Sequence, residues 1–271
     1  MSSNRIESFF ARSPGDRPKV LSPFITAGFP LPEWTVALVK AMADAGADMV
    51  EIGLPFSDPL ADGPVIQHSS QIALESGMTV RQAIDIATRV RKETDLMINL
   101  MTYFNPVLSF GPSRFLDHAA DAGVDGLIIP DLPPAGSENF YDLAQEAGLC
   151  PVHLLAPNTT PERVKTIDQS TRGFIYLVSV TGITGVRPGI SSGLGDYLDS
   201  RRQSLKSPFL VGFGISDPEE AGRIGARSDG VIIGSRIIKI VAGSSSCAQA
   251  EEDLTEFIGA CRQALDRTEG V

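Results

Sequence analysis

Residues 51 to 64 read EIGLPFSDPLADGP and set Glu51, Asp58 and Asp62 among prolines and glycines, directly behind the apolar pair Met49 and Val50. Carboxyl groups at such spacing suit acid–base chemistry, in which one group carries a proton and another stays charged. Alternation over DMVEIGL (48 to 54) puts Met49, Glu51 and Gly53 on one face of a strand and Val50, Ile52 and Leu54 on the other. The branched set suits a layer of helices, so Glu51 points to the enclosed side. An ionised carboxylate without a partner is expensive there, so this one is paired, protonated part of the time, or used in a reaction. Asp62 stands in ADGP, where a turn or helix cap is the competing role, and Asp58 in SDP is a stronger turn candidate.

A second group of residues suits an anion. TGITG (181 to 185), GFGIS (212 to 216) and GS (234 to 235) each follow a late apolar run. Glycines and hydroxyls there, with backbone N–H groups near helix N-termini, are suited to holding a phosphate. Between acids and glycines lie Phe24, Leu100, Met101, Ile128, Leu154, Tyr176 and Phe213, near the ends of apolar runs. Most of these are core by default, and those at the last inward position line a flat apolar pocket. Acids on one side, phosphate loops on the other and apolar walls between them describe a site for a phosphorylated substrate with an aromatic group.

The elements that must position these groups alternate along the whole chain. Strands are expected near residues 20 to 28, 48 to 54, 96 to 103, 126 to 132, 150 to 157, 173 to 180, 208 to 215 and 230 to 235. Between them run windows such as EWTVALVKAMADAG and SRFLDHAADAG, with apolar residues three and four apart and a glycine at the exit. The punctuation repeats: ADAGAD (43 to 48), ADAGVD (120 to 125) and ARSDG (226 to 230) each lead into a buried strand. Eight such units over 271 residues predict a single (β/α)8 TIM-barrel domain spanning 1 to 271, with an N-terminal helical extension. No GxGxxG follows the first strand, which removes the main argument for a dinucleotide fold. The SSSC run (244 to 247) reads as a flexible lead-in to the last helix.

Composition excludes several classes of function. Thirty-three acids against 23 Lys and Arg give a net charge of -10, the wrong sign for tracking a phosphate backbone, so no nucleic acid is expected as partner. The N-terminus lacks an apolar signal region, and the late apolar stretch GVIIGSRIIKIVAG is broken by Arg236 and Lys239. A cytoplasmic protein without membrane spans is expected, or a plastid one if a transit peptide has been removed. Cys150, Cys247 and Cys261 are too far apart for a CxxC site, and His68, His118 and His153 lack ligand spacing, so neither a disulfide framework nor a metal is expected.

VEIGLPFSDPLADGPVIQ (50 to 67), LMTYFNP (100 to 106), PDLP (130 to 133), YLVSVTGITG (176 to 185), GFGIS and the GS pair occur in an order that closely resembles the tryptophan synthase alpha subunits. The resemblance covers nearly the whole chain, and PFSDPLADGP is its most specific part. It implies a (β/α)8 barrel that cleaves indole-3-glycerol phosphate to indole and glyceraldehyde 3-phosphate by a retro-aldol reaction. Glu51 and Asp62 then match the catalytic carboxylates and Tyr176 the active-site tyrosine. Gly185, Gly212, Gly214, Gly234 and Ser235 match the phosphate-binding positions, Thr184 the threonine of a mobile loop, and Phe24 and Phe213 the indole pocket, which Met101 and Leu154 help to line. Val180 and the Gly- and Ser-rich run VRPGISSGLGD (186 to 196) depart from some relatives.

The resemblance also implies no cofactor in this chain, and a beta subunit carrying pyridoxal phosphate in an alpha2beta2 complex. PFSDPL and NPVLSFG (105 to 111), with Asp58 and Asn105, are the implied docking loops. The alternative reading is a stand-alone lyase that releases free indole. A non-catalytic barrel is disfavoured by the intact Glu51 and Asp62, and a phosphosugar isomerase by PFSDPLADGP, which has no part in that chemistry.

Overall fold

The chain folds as a closed barrel of eight parallel strands in sequential order, seen in a computed structural model that describes residues 4 to 136, 139 to 178 and 191 to 267. The strands are β1 (Val20–Thr26), β2 (Met49–Gly53), β3 (Met97–Met101), β4 (Gly126–Ile128), β5 (Cys150–Leu155), β6 (Ile175–Leu177), β7 (Phe209–Val211) and β8 (Gly230–Ile233). Pairing of Val20 with Gly230 and of Pro23 with Ile233 closes the ring between β1 and β8. All eight expected strands are present, and the last residues differ: β4, β6 and β7 stop earlier than their apolar runs. Ile129, Leu132 and Ile215 lie beyond the paired residues yet remain buried. Hydrophobicity therefore marks burial after the hydrogen-bonded ladder has ended.

Each strand sorts its side chains between two cores. Val50, Ile52 and Leu54 join the outer core against the helices, while Met49 joins an inner core with Ile128, Val152, Phe174, Leu210 and Ile232. The helices present one apolar stripe to the outer core. Among them Val80–Glu93 begins with a reciprocal capping box between Thr79 and Gln82 and buries Ala83, Ile84, Ile86, Ala87 and Val90. The SSSC run is more ordered than its composition implies: the Ser246 side chain accepts from the N–H of Gln249 and caps the helix Cys247–Asp266.

The N-terminal extension is a helix, Arg5–Phe10, and it plugs the lower end of the barrel. Ile6 and Phe10 belong to the inner core, with Phe10 5.4 Å from the Phe174 ring. A Cβ on Gly126 would lie 2.8 Å from Ile6 Cδ1, and one on Gly173 would lie 2.6 Å from Ile6 Cγ2, so both glycines make room for the plug. Burial of each of these apolar side chains contributes roughly 1.5–3 kcal/mol.

The repeated punctuation proves to be a repeated interaction. Asp48, Asp125 and Asp229 each donate a backbone N–H to the carbonyl of one residue in the preceding strand (Leu21, Ile98, Phe209). Each then accepts that same residue's N–H with its carboxylate, at 2.9, 2.9 and 3.0 Å. Arginines complete each clasp: Arg262 at Asp48, Arg5 and Arg91 at Asp125, Arg17 and Arg202 at Asp229. Gly46 and Gly123, with φ of +105° and +75°, turn the chain from helix to clasp in the first two repeats, where a side chain would be strained. Arg17 and Asp229 are both 3% exposed as side chains and 2.7 Å apart. Asp229→Ala leaves that guanidinium buried without its counter-charge, so the variant is expected to lose about 3–5 kcal/mol of stability in urea denaturation.

Candidate active site

Inward-facing residues at the C-terminal ends of the strands form the site. Glu51 on β2 is level with Phe24 on β1 and Asn99 on β3, and Gly53 is level with Met101. Across the barrel, Leu154 on β5 is level with Tyr176 on β6. Glu51 is 0% exposed, and neither carboxyl oxygen has a hydrogen-bond partner among the described residues. Burial pushes its pKa well above the ordinary glutamate range. Alternation thus read the strand correctly, and the carboxyl is held out of water with no ion pair to quench it.

Asp62 stands on the loop between β2 and the helix Pro64–Glu75, half-buried. That helix is capped by no side chain, so the structural role of Asp62 as a cap does not hold. Burial lifts the Asp62 pKa to about 6, and a hydrogen bond from Tyr103 pulls it the other way. The Tyr103 hydroxyl also accepts the N–H of Ala61 at 2.9 Å, which ties the acid-bearing loop to the end of β3. Sequence reasoning passed over Tyr103; the signal was its place in TYFNP, just beyond a strand beside Glu51. The Tyr176 hydroxyl is pushed strongly toward its neutral form by burial, with the charges of Glu51 and then Asp62 adding to it. All three groups therefore bear on one space.

The apolar and glycine positions divide into separate roles. Phe24 is buried, and its ring fills the space a side chain on Gly53 would need. Met101 and Leu154 are partly buried against the inner core, and Phe213 is half-buried against the outer core just past β7. Leu100 faces the helices and is simply core. Gly212 lies under Tyr176, whose hydroxyl would be 2.5 Å from a Cβ there, so the absent side chain makes room for the tyrosine as well as for any anion.

Of the three candidate anion loops, TGITG lies outside the described residues, and with it Thr184 and Gly185. GFGIS has Gly214 at φ +71°, but it leads into the helix Pro218–Gly225, whose N-terminus is capped by Asp217 and carries Glu219 and Glu220. By contrast Gly234 and Ser235 open the helix Ser235–Gly243 with no side-chain cap and no acid in the first turn. Free N–H groups and the helix dipole make that terminus the better anion seat. Asp58 and Leu60 (94%) are exposed on the loop after β2, whereas the segment expected as a docking loop after β3 is a helix, Phe104–Phe110, on which Asn105 and Leu108 (53%) are exposed. No group of three His, Cys, Asp or Glu side chains suited to a metal occurs among the described residues.

With this geometry in hand, residues 10–266 match the family model described as tryptophan synthase alpha chain. The chain belongs to that family. It is 41% identical to the tryptophan synthase alpha chain of Geobacter sulfurreducens, covering 97% of this chain and 99% of the relative. It is 42% identical to that of Dehalococcoides mccartyi over 92% of this chain and 96% of the relative. Among solved structures it superposes on tryptophan synthase subunit alpha from Legionella pneumophila with a TM-score of 0.90, at 34% identity and covering 98% of this chain and 100% of the other.

The acids at the site carry a pH signature. Their folded pKa values lie above the unfolded ones, so their contribution to stability is fully present below about pH 4 and is lost as pH rises, through about 6 for Asp62 and in the same direction for Glu51. Asp62→Asn is therefore expected to be more stable than the parent at pH 8 and to lose that advantage by pH 3.5, measured by urea denaturation at both values. Tyr103→Phe removes a hydrogen bond to the carboxylate and is expected to move the Asp62 titration upward from about 6, read by carbon-13 NMR of its carboxyl.

Proposed function

We propose that this chain cleaves indole-3-glycerol phosphate to indole and glyceraldehyde 3-phosphate as the alpha subunit of a tryptophan synthase. The observation that carries the reading is Glu51: a wholly buried acid without a counter-charge, aimed into a site shared with Asp62 and Tyr176. Breaking the bond between indole C3 and the glycerol chain requires a proton on C3, because only the resulting indolenine can take up the electron pair of the breaking bond. A carboxyl held protonated by burial supplies that proton. Once deprotonated, it takes the proton from the hydroxyl on the glycerol carbon bonded to the ring as that carbon becomes the aldehyde carbonyl, so one residue serves both steps.

Asp62 accepts the ring N–H and stabilises the positive charge that develops on the ring nitrogen. Tyr176, with Phe24, Met101, Leu154 and Phe213, encloses the indole. Gly234 and Ser235 hold the phosphate at the helix N-terminus, joined by Gly212 and Gly214 and by Thr184 and Gly185. The chain needs no cofactor of its own, and pyridoxal phosphate belongs to the beta partner. Removal of the carboxyl proton tests the assignment. Glu51→Gln is expected to lower indole release by roughly 10²- to 10⁴-fold while folding persists, and turnover near the parent level overturns it.

The same reading places a beta subunit on the loops beside the mouth, in an alpha2beta2 complex located in the cytoplasm. The support is the exposure of Leu60 beside Asp58 on the loop after β2, and of Leu108 beside Asn105 on the helix Phe104–Phe110 that follows β3. A partner bound there reaches Asp62 through its loop and is expected to raise indole release by about 5- to 150-fold. Leu60→Asp is expected to abolish that rise and leave the basal rate intact. Titration of a beta subunit that neither raises turnover nor forms a complex by light scattering favours the stand-alone lyase.

A further inference from the structure

Among the described residues, three buried polar side chains on consecutive strands each carry an oxygen without a hydrogen-bond partner: Ser22 Oγ on β1, both Glu51 carboxyl oxygens on β2 and Asn99 Oδ1 on β3, each residue 0% exposed. Asn99 is level with Glu51 on one side and with Gly126 on the other. Its Oδ1 occupies the space a side chain on residue 126 would take, so Gly126 is what admits an asparagine at this level. Its Nδ2 lies on the β2 side, donating to Met49 Sδ at 2.8 Å. A thioether is a weak acceptor, and the amide nitrogen carries a second N–H. Glu51 is two residues beyond Met49 on the same face of the same strand, and neighbouring strands lie only about 4.8 Å apart.

The surroundings of Glu51 explain why a donor is needed. Its other level neighbour is Phe24, which offers none. The ionisable groups that bear on the same space are Asp62, from the loop after β2, and Tyr176, from β6; neither is a cation. His153 packs on the Tyr141 ring in the helix layer, and Arg17 is engaged by Asp229 at the lower rim. A carboxylate formed here meets no counter-charge among the described residues.

We propose that Asn99 is a positioning residue for Glu51, its side-chain amide turning an N–H to the carboxylate each time the acid has given up its proton. This rests on the reading of Glu51 as the proton carrier. The amide lets one buried group hold both protonation states in a single cycle: burial favours the acid, and the amide dipole favours the base.

Asn99→Leu keeps the side chain's length and removes its donor, and both the lost hydrogen bond and the added apolar surface favour the protonated acid. The basic limb of the kcat profile, where the acid that starts the cycle protonated is lost, is expected to move upward by about 1 to 2 pH units, with kcat on the plateau falling about 10-fold because the carboxylate left by proton donation is less stable, and KM little changed. Asn99→Ser retains a donor of shorter reach and is expected to fall between leucine and parent. In the unaltered protein the nitrogen-15 amide resonance of Asn99 is expected to titrate together with Glu51. An unshifted kcat profile in either folded variant, a loss confined to KM or to melting temperature, or an Asn99 resonance constant across the limb overturns the proposal. Full turnover in Glu51→Gln overturns the assignment of the acid itself; an inactive Glu51→Gln beside an unshifted Asn99→Leu overturns only the role of Asn99.

Discussion

A carboxyl group out of water is the constraint around which this molecule is arranged. Glu51 would be an ordinary acid at the surface; its raised pKa comes from having no exposed surface and no cation beside it. That condition requires walls on every side. Phe24 and Tyr176 supply them laterally, β2 supplies the backbone, and the inner core closes the space beneath. The expense of burying the acid has to be met elsewhere in the fold, because nothing adjacent offsets it.

It is met at the opposite end of the barrel. The clasps at Asp48, Asp125 and Asp229 join consecutive strands through paired backbone and carboxylate hydrogen bonds, and arginines neutralise each acid. Acids at the lower rim are thus fully partnered, and the acid near the upper rim is not. The same residue type stabilises the structure in one place and is held in a costly state in the other, and the difference lies wholly in what surrounds it. This separation is characteristic of barrels whose chemistry sits at the C-terminal ends of the strands.

Much of this was legible in the sequence because alternation is strict inside a barrel. Once Val50, Ile52 and Leu54 are assigned to the helices, Glu51 can only face inward, and the eight apolar runs fix the architecture. The repeats ADAGAD, ADAGVD and ARSDG were visible as punctuation, but the role of their aspartates was not, since it depends on a strand 20 to 27 residues earlier in the chain. Strand ends were overestimated at β4, β6 and β7 for a related reason: buried loop residues such as Ile129 and Ile215 look like strand to any reading of hydrophobicity. Gly212 illustrates the remaining limit. A glycine read as a place for phosphate also accommodates the Tyr176 ring, a steric relation between β6 and the end of β7 that no local pattern encodes. Asn99 stood in plain view within MINLM, as anomalous on its strand as Glu51 is on its own.

The plug at the lower end imposes an order on assembly. Ile6 and Phe10 leave the ribosome before the residues that seat them, since the seat is built from Gly126, Cys150, Gly173 and Phe174. Until Phe174 has been synthesised, the helix Arg5–Phe10 has nowhere to go, and its aromatic side chains travel with the nascent chain uncovered. Contacts so distant in sequence form late and slowly. The plug is therefore committed only after its distant seat, and sealing of the barrel floor is a closing event of biogenesis rather than its starting point.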